Sequence, residues 1–221
     1  MRHSIAKYSF YAAANLLLFA MVGTAVLAYT YNLTHEAIAQ SELNEKLKLV
    51  VQVAPSSAYD NDIMQNTVQL APDALLGTGE ATTAYIGRLK GEPSIAVLQA
   101  FAPDGYSGKI SLIIAIYRDG KIGGVRVVSH KETPGLGDYI EIAKSKWITQ
   151  FDGLTLEKPK DSNWKVKKDG GAFEHTAGAT ITPRAVVKAV HKALQYAAQH
   201  RNELFIPAPS PEKASPKEAE K

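Results

Sequence analysis

Two glycine-rich segments hold the residues of this 221-residue chain best suited to gripping a ligand. One is Thr176-Ala177-Gly178-Ala179-Thr180-Ile181-Thr182, just before a stretch with helical periodicity. Its small residues allow close backbone approach, and its threonines offer hydroxyls. A helix N-terminus adds unpaired N–H groups at a positive dipole end, a combination that suits a phosphate. The other is Glu132-Thr133-Pro134-Gly135-Leu136-Gly137. Proline with two glycines makes a tight turn whose N–H groups can face a ligand. Leu136 would stand at its tip, where an exposed apolar side chain has little structural value. Each pattern also occurs as a plain turn or cap. Together they point to a phosphate-bearing ligand without naming it.

Other chemistries are missing. The chain has no cysteine, which excludes disulfides, thiolate metal sites, iron–sulfur clusters and a cysteine nucleophile. Its six histidines are scattered without metal-ligand spacing. His130 and Glu132 read as a coincidence at a strand end. There is no Walker A loop and no GxSxG elbow, and Gly77-Thr78-Gly79 lacks the rest of a dinucleotide fingerprint. A net charge of +3 is too small to argue for nucleic acid. Hydrophobic residues at 45% and charged residues at 21% exclude disorder throughout. Lys158, Lys160, Lys165, Lys167 and Lys168 outnumber Glu157 and Asp161, forming either a solvated loop or an attractor for an anionic ligand or partner.

The glycine segments must be positioned by the elements around them. Ala81–Leu89, Ser94–Phe101, Lys109–Tyr117 and Lys121–Val128 read as strands of an antiparallel meander. Asp119-Gly120 is a strong hairpin signal, because glycine tolerates positive φ. Pro103–Gly108 reads as a loop, and Gly123-Gly124 as a bulge or a close approach by another group. Asp138–Gln150 predicts a helix with Ile142, Trp147 and Ile148 inward. Ile181–His200 predicts another, capped by Thr182, with Pro183 in its first turn and Val186, Val190, Leu194 and Ala197 on one face. The fold class is α+β: a single N-terminal transmembrane helix, then an antiparallel sheet with helices packed on one face.

The N-terminal part differs in kind. No Asp, Glu, Lys or Arg occurs between Lys7 and Glu36. Tyr8, Phe10 and Tyr11 flank this span on one side and Tyr29 and Tyr31 on the other, as at the two interfaces of a bilayer. Val26-Leu27-Ala28 could serve as a signal-peptide cleavage site, but the run exceeds the usual apolar core of about 7–15 residues. Arg2 and Lys7 predict a cytoplasmic N-terminus. The resulting organisation is 1–7 cytoplasmic, 8–33 transmembrane, 34–80 a helical and irregular connector, 81–205 the ligand-binding domain, and 206–221 a proline-rich disordered tail. Ile38, Leu43, Leu47, Val50 and Val51 carry helical spacing through Thr34–Val53.

With the anchor, APDGYSGKI at 102–110, HKETPGLGD at 130–138 and EHTAGATITPRAVV at 174–187, the sequence resembles the G subunit of the Rnf ion-translocating electron-transport complex. More distantly it resembles the C subunit of sodium-translocating NADH:quinone reductase. The resemblance implies an FMN-binding domain, with FMN joined by a phosphoester to Thr180 beside Gly178 and Ala179. It implies Thr133, Gly135, Leu136 and Gly137 against the flavin, and Tyr106 and Lys167 as further contacts. It also implies a flavin transferase that reads an Asp six residues upstream and a Ser or Thr three upstream. Here those positions are Glu174, which keeps the charge, and Ala177, which lacks the hydroxyl. The implied setting is a bacterial inner membrane, single-pass, with the C-terminal domain in the periplasm. The implied partners are membrane lipid and the other subunits of the complex, with no nucleic acid. The implied function is electron transfer without stand-alone turnover. The alternatives are the C-type reductase subunit and a periplasmic scaffold without flavin.

Overall fold

The computed structural model describes residues 2–206, so all but the first residue of the tail expected at 206–221 lies outside the described residues. The chain divides after Lys46 into two units. The first belongs to α1, Arg2–Val53. Its segment Lys7–Glu36, 30 residues, is long and apolar enough to cross a membrane. At 1.5 Å per residue that is about 45 Å, more than a hydrocarbon core of about 30 Å. Tyr8, Phe10, Leu17, Phe19, Leu27 and Tyr29 all stand exposed on it. A helix that is apolar and buried on no side within the protein is poorly suited to water. The hydroxyls of Thr24, Thr30 and Thr34 each donate to the carbonyl four residues earlier at 2.8 Å. The polar groups of these threonines are therefore satisfied by the helix itself, as an apolar solvent requires.

The second unit is built on a five-stranded antiparallel sheet in sequential order. The strands are β1 (Thr67–Leu70), β2 (Thr82–Leu89), β3 (Glu92–Gly105), β4 (Gly108–Tyr117) and β5 (Ile122–Ser129). The central strands β3 and β4 read as almost continuous apolar runs because both faces of the sheet are covered. Ile110, Leu112, Ile114 and Ile116 of β4 share a core with Val186, Val190 and Leu194 of α2, Ile181–Gln199. Ile113 and Ala115 turn to the other face, where Val50, Val53, Ala54, Ala58 and Ile63 cover them. There a Cβ on Gly123 or Gly124 would lie 3.1 Å from the backbone of Val53, and the β4–β5 register shifts beside them. Gly123-Gly124 thus makes both the bulge and the close approach. A short α3, Arg201–Leu204, ends the described chain.

Four details depart from expectation. The segment 34–80 contributes β1, whose four polar-rich residues are too short to show a strand period. Pro103–Gly108 is no open loop, since β3 continues to Gly105, which pairs with Gly108 across a tip made of Tyr106 and Ser107. Asp138–Gln150 is two 3-10 turns, Asp138–Ile140 and Lys146–Phe151, because Ser145 is extended and its hydroxyl accepts the Trp147 N–H at 3.0 Å. Trp147 and Ile148 are buried as expected, whereas Ile142 is exposed. Thr182 does not cap α2. Thr180 occupies that position, and Thr182 is buried within the first turn.

Candidate functional site

The glycine segments, about 40 residues apart in sequence, meet at one place. A recess of about 300 Å³ is lined by Tyr106, Glu132, Thr133, Leu136, Gly137 and the run 178–182. The sheet places the β3–β4 tip there, the chain leaving β5 forms the turn, and α2 begins at the recess wall. That volume is at the small end of ligand pockets, so a large ligand would stay partly outside.

The two segments differ in their hydrogen bonds. In the 132–137 turn the N–H groups of Gly135, Leu136 and Gly137 are already taken. Leu136 and Gly137 donate to the Thr133 carbonyl at 3.1 and 2.9 Å, and Gly135 donates to Asp138 Oδ1 at 2.8 Å. Residues 135–137 therefore offer a ligand their side chains rather than their N–H groups. Gly135 has φ of +76°, which favours glycine, and stays at the outer tip beyond the recess lining. Gly137 has ordinary φ, but a Cβ there would sit 2.9 Å from Glu132 Cβ and 3.0 Å from the Thr182 hydroxyl.

The 176–182 segment is open. Ala179 donates to the Thr176 carbonyl at 3.1 Å, and Gly178 turns the chain at φ +87°. Thr180 is half-buried and helical in conformation. Its carbonyl accepts the Arg184 N–H at 3.3 Å. Its hydroxyl makes no capping bond and has no hydrogen-bond partner among the described residues. Ile181 and Thr182 follow in the first helical turn, where N–H groups lack an intrahelical acceptor. Tyr139 buttresses the segment's start by accepting the Thr176 N–H at 3.3 Å. Burial raises the pKa of that phenol, which keeps it neutral.

Around the rim stand apolar groups with no fold partner to explain them. Tyr106 is 67% exposed, Leu136 50% and Ile181 45%. A flat aromatic ligand would be matched by such walls. On the far side of Ile181 lies a second recess of about 610 Å³, lined by Asp104, Trp164, Lys165, Asp169, Arg184 and Lys188 among others. Its charges are largely self-paired. Arg184 forks onto Asp169 at 2.5 and 2.7 Å, and Lys188 meets Asp104 at 2.5 Å. These cations hold both carboxyls below the usual range.

Of the residues named from sequence, Thr180, Ala179, Gly178, Thr133, Leu136, Gly137 and Tyr106 line the recess together. Lys167 does not line it and pairs with Glu174 instead. Glu174 is itself pinned by its backbone, donating to Gln150 Oε1 at 3.0 Å and accepting from Trp147 Nε1 at 2.7 Å. Ile181, Thr182 and above all Glu132 lie in the two segments but were not named from sequence as ligand contacts. Asp138, directly after the glycine turn, was a legible sign that the turn closes on itself.

An α+β domain whose hairpin tip and two glycine segments enclose such a recess has the features of a cofactor-binding domain. Residues 105–195 match the FMN-binding domain family, and residues 1–53 match the RnfG N-terminal region. The chain is 47% identical over 190 residues to the G subunit of the ion-translocating oxidoreductase complex of Pseudomonas aeruginosa, covering 86% of this chain and 89% of that one. To the corresponding protein of Aliivibrio fischeri it is 44% identical, covering 86% and 90%. The chain belongs to this family, the G subunits of ion-translocating oxidoreductase complexes. The crystal structure of Shewanella oneidensis NqrC overlaps 67% of this chain and 72% of that one, with 21% identity and a TM-score of 0.46.

Proposed function

We propose that this chain is an electron-carrying subunit of an ion-translocating membrane complex, with FMN joined through its phosphate to the Thr180 hydroxyl. The observation that carries the reading is the unpartnered Thr180 hydroxyl on a recess wall at the start of α2. The residues present fit the group. Thr180 supplies the ester oxygen, and the N–H groups of Ile181 and Thr182 are available to phosphate oxygens. Gly178 keeps the approach open, and Tyr106, Leu136 and Ile181 offer walls for the ring. Bound there, FMN supplies one- and two-electron redox chemistry, tuned by hydrogen bonds and burial. The small recess leaves part of the ring accessible, which suits exchange of electrons with a neighbouring subunit.

In this reading Lys7–Glu36 crosses a bacterial inner membrane, with Arg2 and Lys7 on the cytoplasmic side and the folded domain in the periplasm. The other partners are the remaining subunits and a flavin transferase that forms the ester. Lys167 and Glu174, paired with each other, offer that transferase a charged feature six residues before Thr180. Full-length chain produced alongside the transferase should keep flavin fluorescence after denaturation and electrophoresis, and Thr180→Ala should lose it. A wild-type chain without fluorescence under those conditions would leave the scaffold reading instead.

A further inference from the structure

Glu132 is the only buried carboxylate that lines the recess among the described residues, at 4% exposure. Its oxygens reach elements far apart in sequence. Oε1 accepts the Ser107 N–H of the hairpin tip at 3.0 Å, and Oε2 accepts the hydroxyl of Thr182 in α2. Its backbone N–H donates to His130 Nδ1 at 2.9 Å, and His130 Nε2 bonds Glu141 Oε1 at 2.5 Å. Two glycines make room for it. A Cβ on Gly105 would lie 2.8 Å from Oε1, and one on Gly137 would lie 3.0 Å from Oε2. None of the described ion pairs includes Glu132, so its charge is held by neutral donors alone. A buried carboxylate without a cation is costly to keep, and its field is weakly screened.

We propose that Glu132 is the positioning and tuning residue of the recess. It ties the Tyr106 tip, the 133–137 turn and the start of α2 into one frame, and its negative charge lowers the midpoint potential of the bound flavin. The proposal rests on the flavin reading given above. A flavin that takes up two electrons and one proton becomes more negative by one charge, and a fixed anion in the same recess disfavours that form. Thr182, as a donor to this carboxylate, partly offsets the effect.

The test is an anaerobic titration of full-length protein, loaded by the transferase and held in detergent. Dithionite supplies the electrons and solvent the proton. Glu132→Gln should raise the midpoint potential. At a fixed poise, the reduced-to-oxidised ratio should increase about tenfold, equivalent to about 30 mV for a two-electron couple. Thr182→Val keeps the charge but removes a donor to it, and should lower the potential. A merely structural role would move both variants in the same direction or neither. Flavin present in both variants with unshifted potentials overturns the role of Glu132 and leaves the flavin reading standing. If Glu132→Gln holds no flavin while wild type does, Thr182→Val decides, and a potential that is unchanged or higher overturns the proposal. A wild-type chain without flavin overturns both.

Discussion

The two glycine-rich segments look alike in sequence, yet the fold uses them in opposite ways. The 132–137 turn spends the N–H groups of Gly135, Leu136 and Gly137 on Thr133 and Asp138, and so holds a shape. The 176–182 segment leaves a threonine hydroxyl and the first N–H groups of α2 uncommitted, and so holds a capacity for chemistry. Glycine content does not separate these cases. What separates them is whether acceptors within the turn and beside it, here the Thr133 carbonyl and Asp138, take up its N–H groups.

Changing the closed turn should cost the fold most. Gly137→Ala forces a Cβ against Glu132 and Thr182, both buried and mutually bonded. Overpacking of this kind costs about 1–3 kcal/mol. Thermal unfolding in detergent should register that loss, and flavin loading should fall with it. An unchanged midpoint would mean the turn is looser than its hydrogen bonds imply. The same substitution in the open segment meets no atom. Gly178→Ala has nothing within 4 Å of the added Cβ, so only the φ of +87° opposes it. That strain is worth about 1–2 kcal/mol. Its larger consequence should be on loading by the transferase, since the segment must present Thr180. Equal losses of stability and loading in both variants would erase the distinction between the segments.

The smallest effect is expected away from both. His191 stacks on Trp164 at 4.8 Å, and burial lowers its pKa despite the opposing pull of Asp161. A depressed imidazole pKa contributes stability that is present above the ordinary value of about 6.5 and is lost as the pH falls through the folded value. Stability should therefore decline below about pH 6.5, and His191→Phe, which keeps a ring against Trp164, should flatten that decline. An unaltered slope in the variant would assign the acid sensitivity elsewhere.

Much of the frame was legible. Apolar runs punctuated by Asp119-Gly120 located the long strands, and the 3.6-residue period located α2. β1 escaped because Thr67–Leu70 pairs a short polar sequence with β2, a contact that only the assembled sheet reveals. The Asp138–Gln150 segment has helical composition, but Ser145 breaks it by capping Trp147. The recess lining was legible in part, since threonines and glycines beside a helix start advertise a phosphate site. Glu132 was not. With His130 it reads as a coincidence at a strand end, and its partners Ser107 and Thr182 lie 25 and 50 residues away. Lys167, which the resemblance implies as a further contact, lies outside the recess lining and pairs with Glu174.

The central claim is that Thr180 is the point of attachment. It is tested most directly by the mass of the denatured, protease-digested full-length chain made together with the transferase. The peptide containing Thr180 should carry the mass of one FMN less one water, and fragmentation should locate that mass on the Thr180 side chain. Flavin found on another residue, or a Thr180 peptide of unmodified mass from protein that binds flavin only reversibly, would contradict the account.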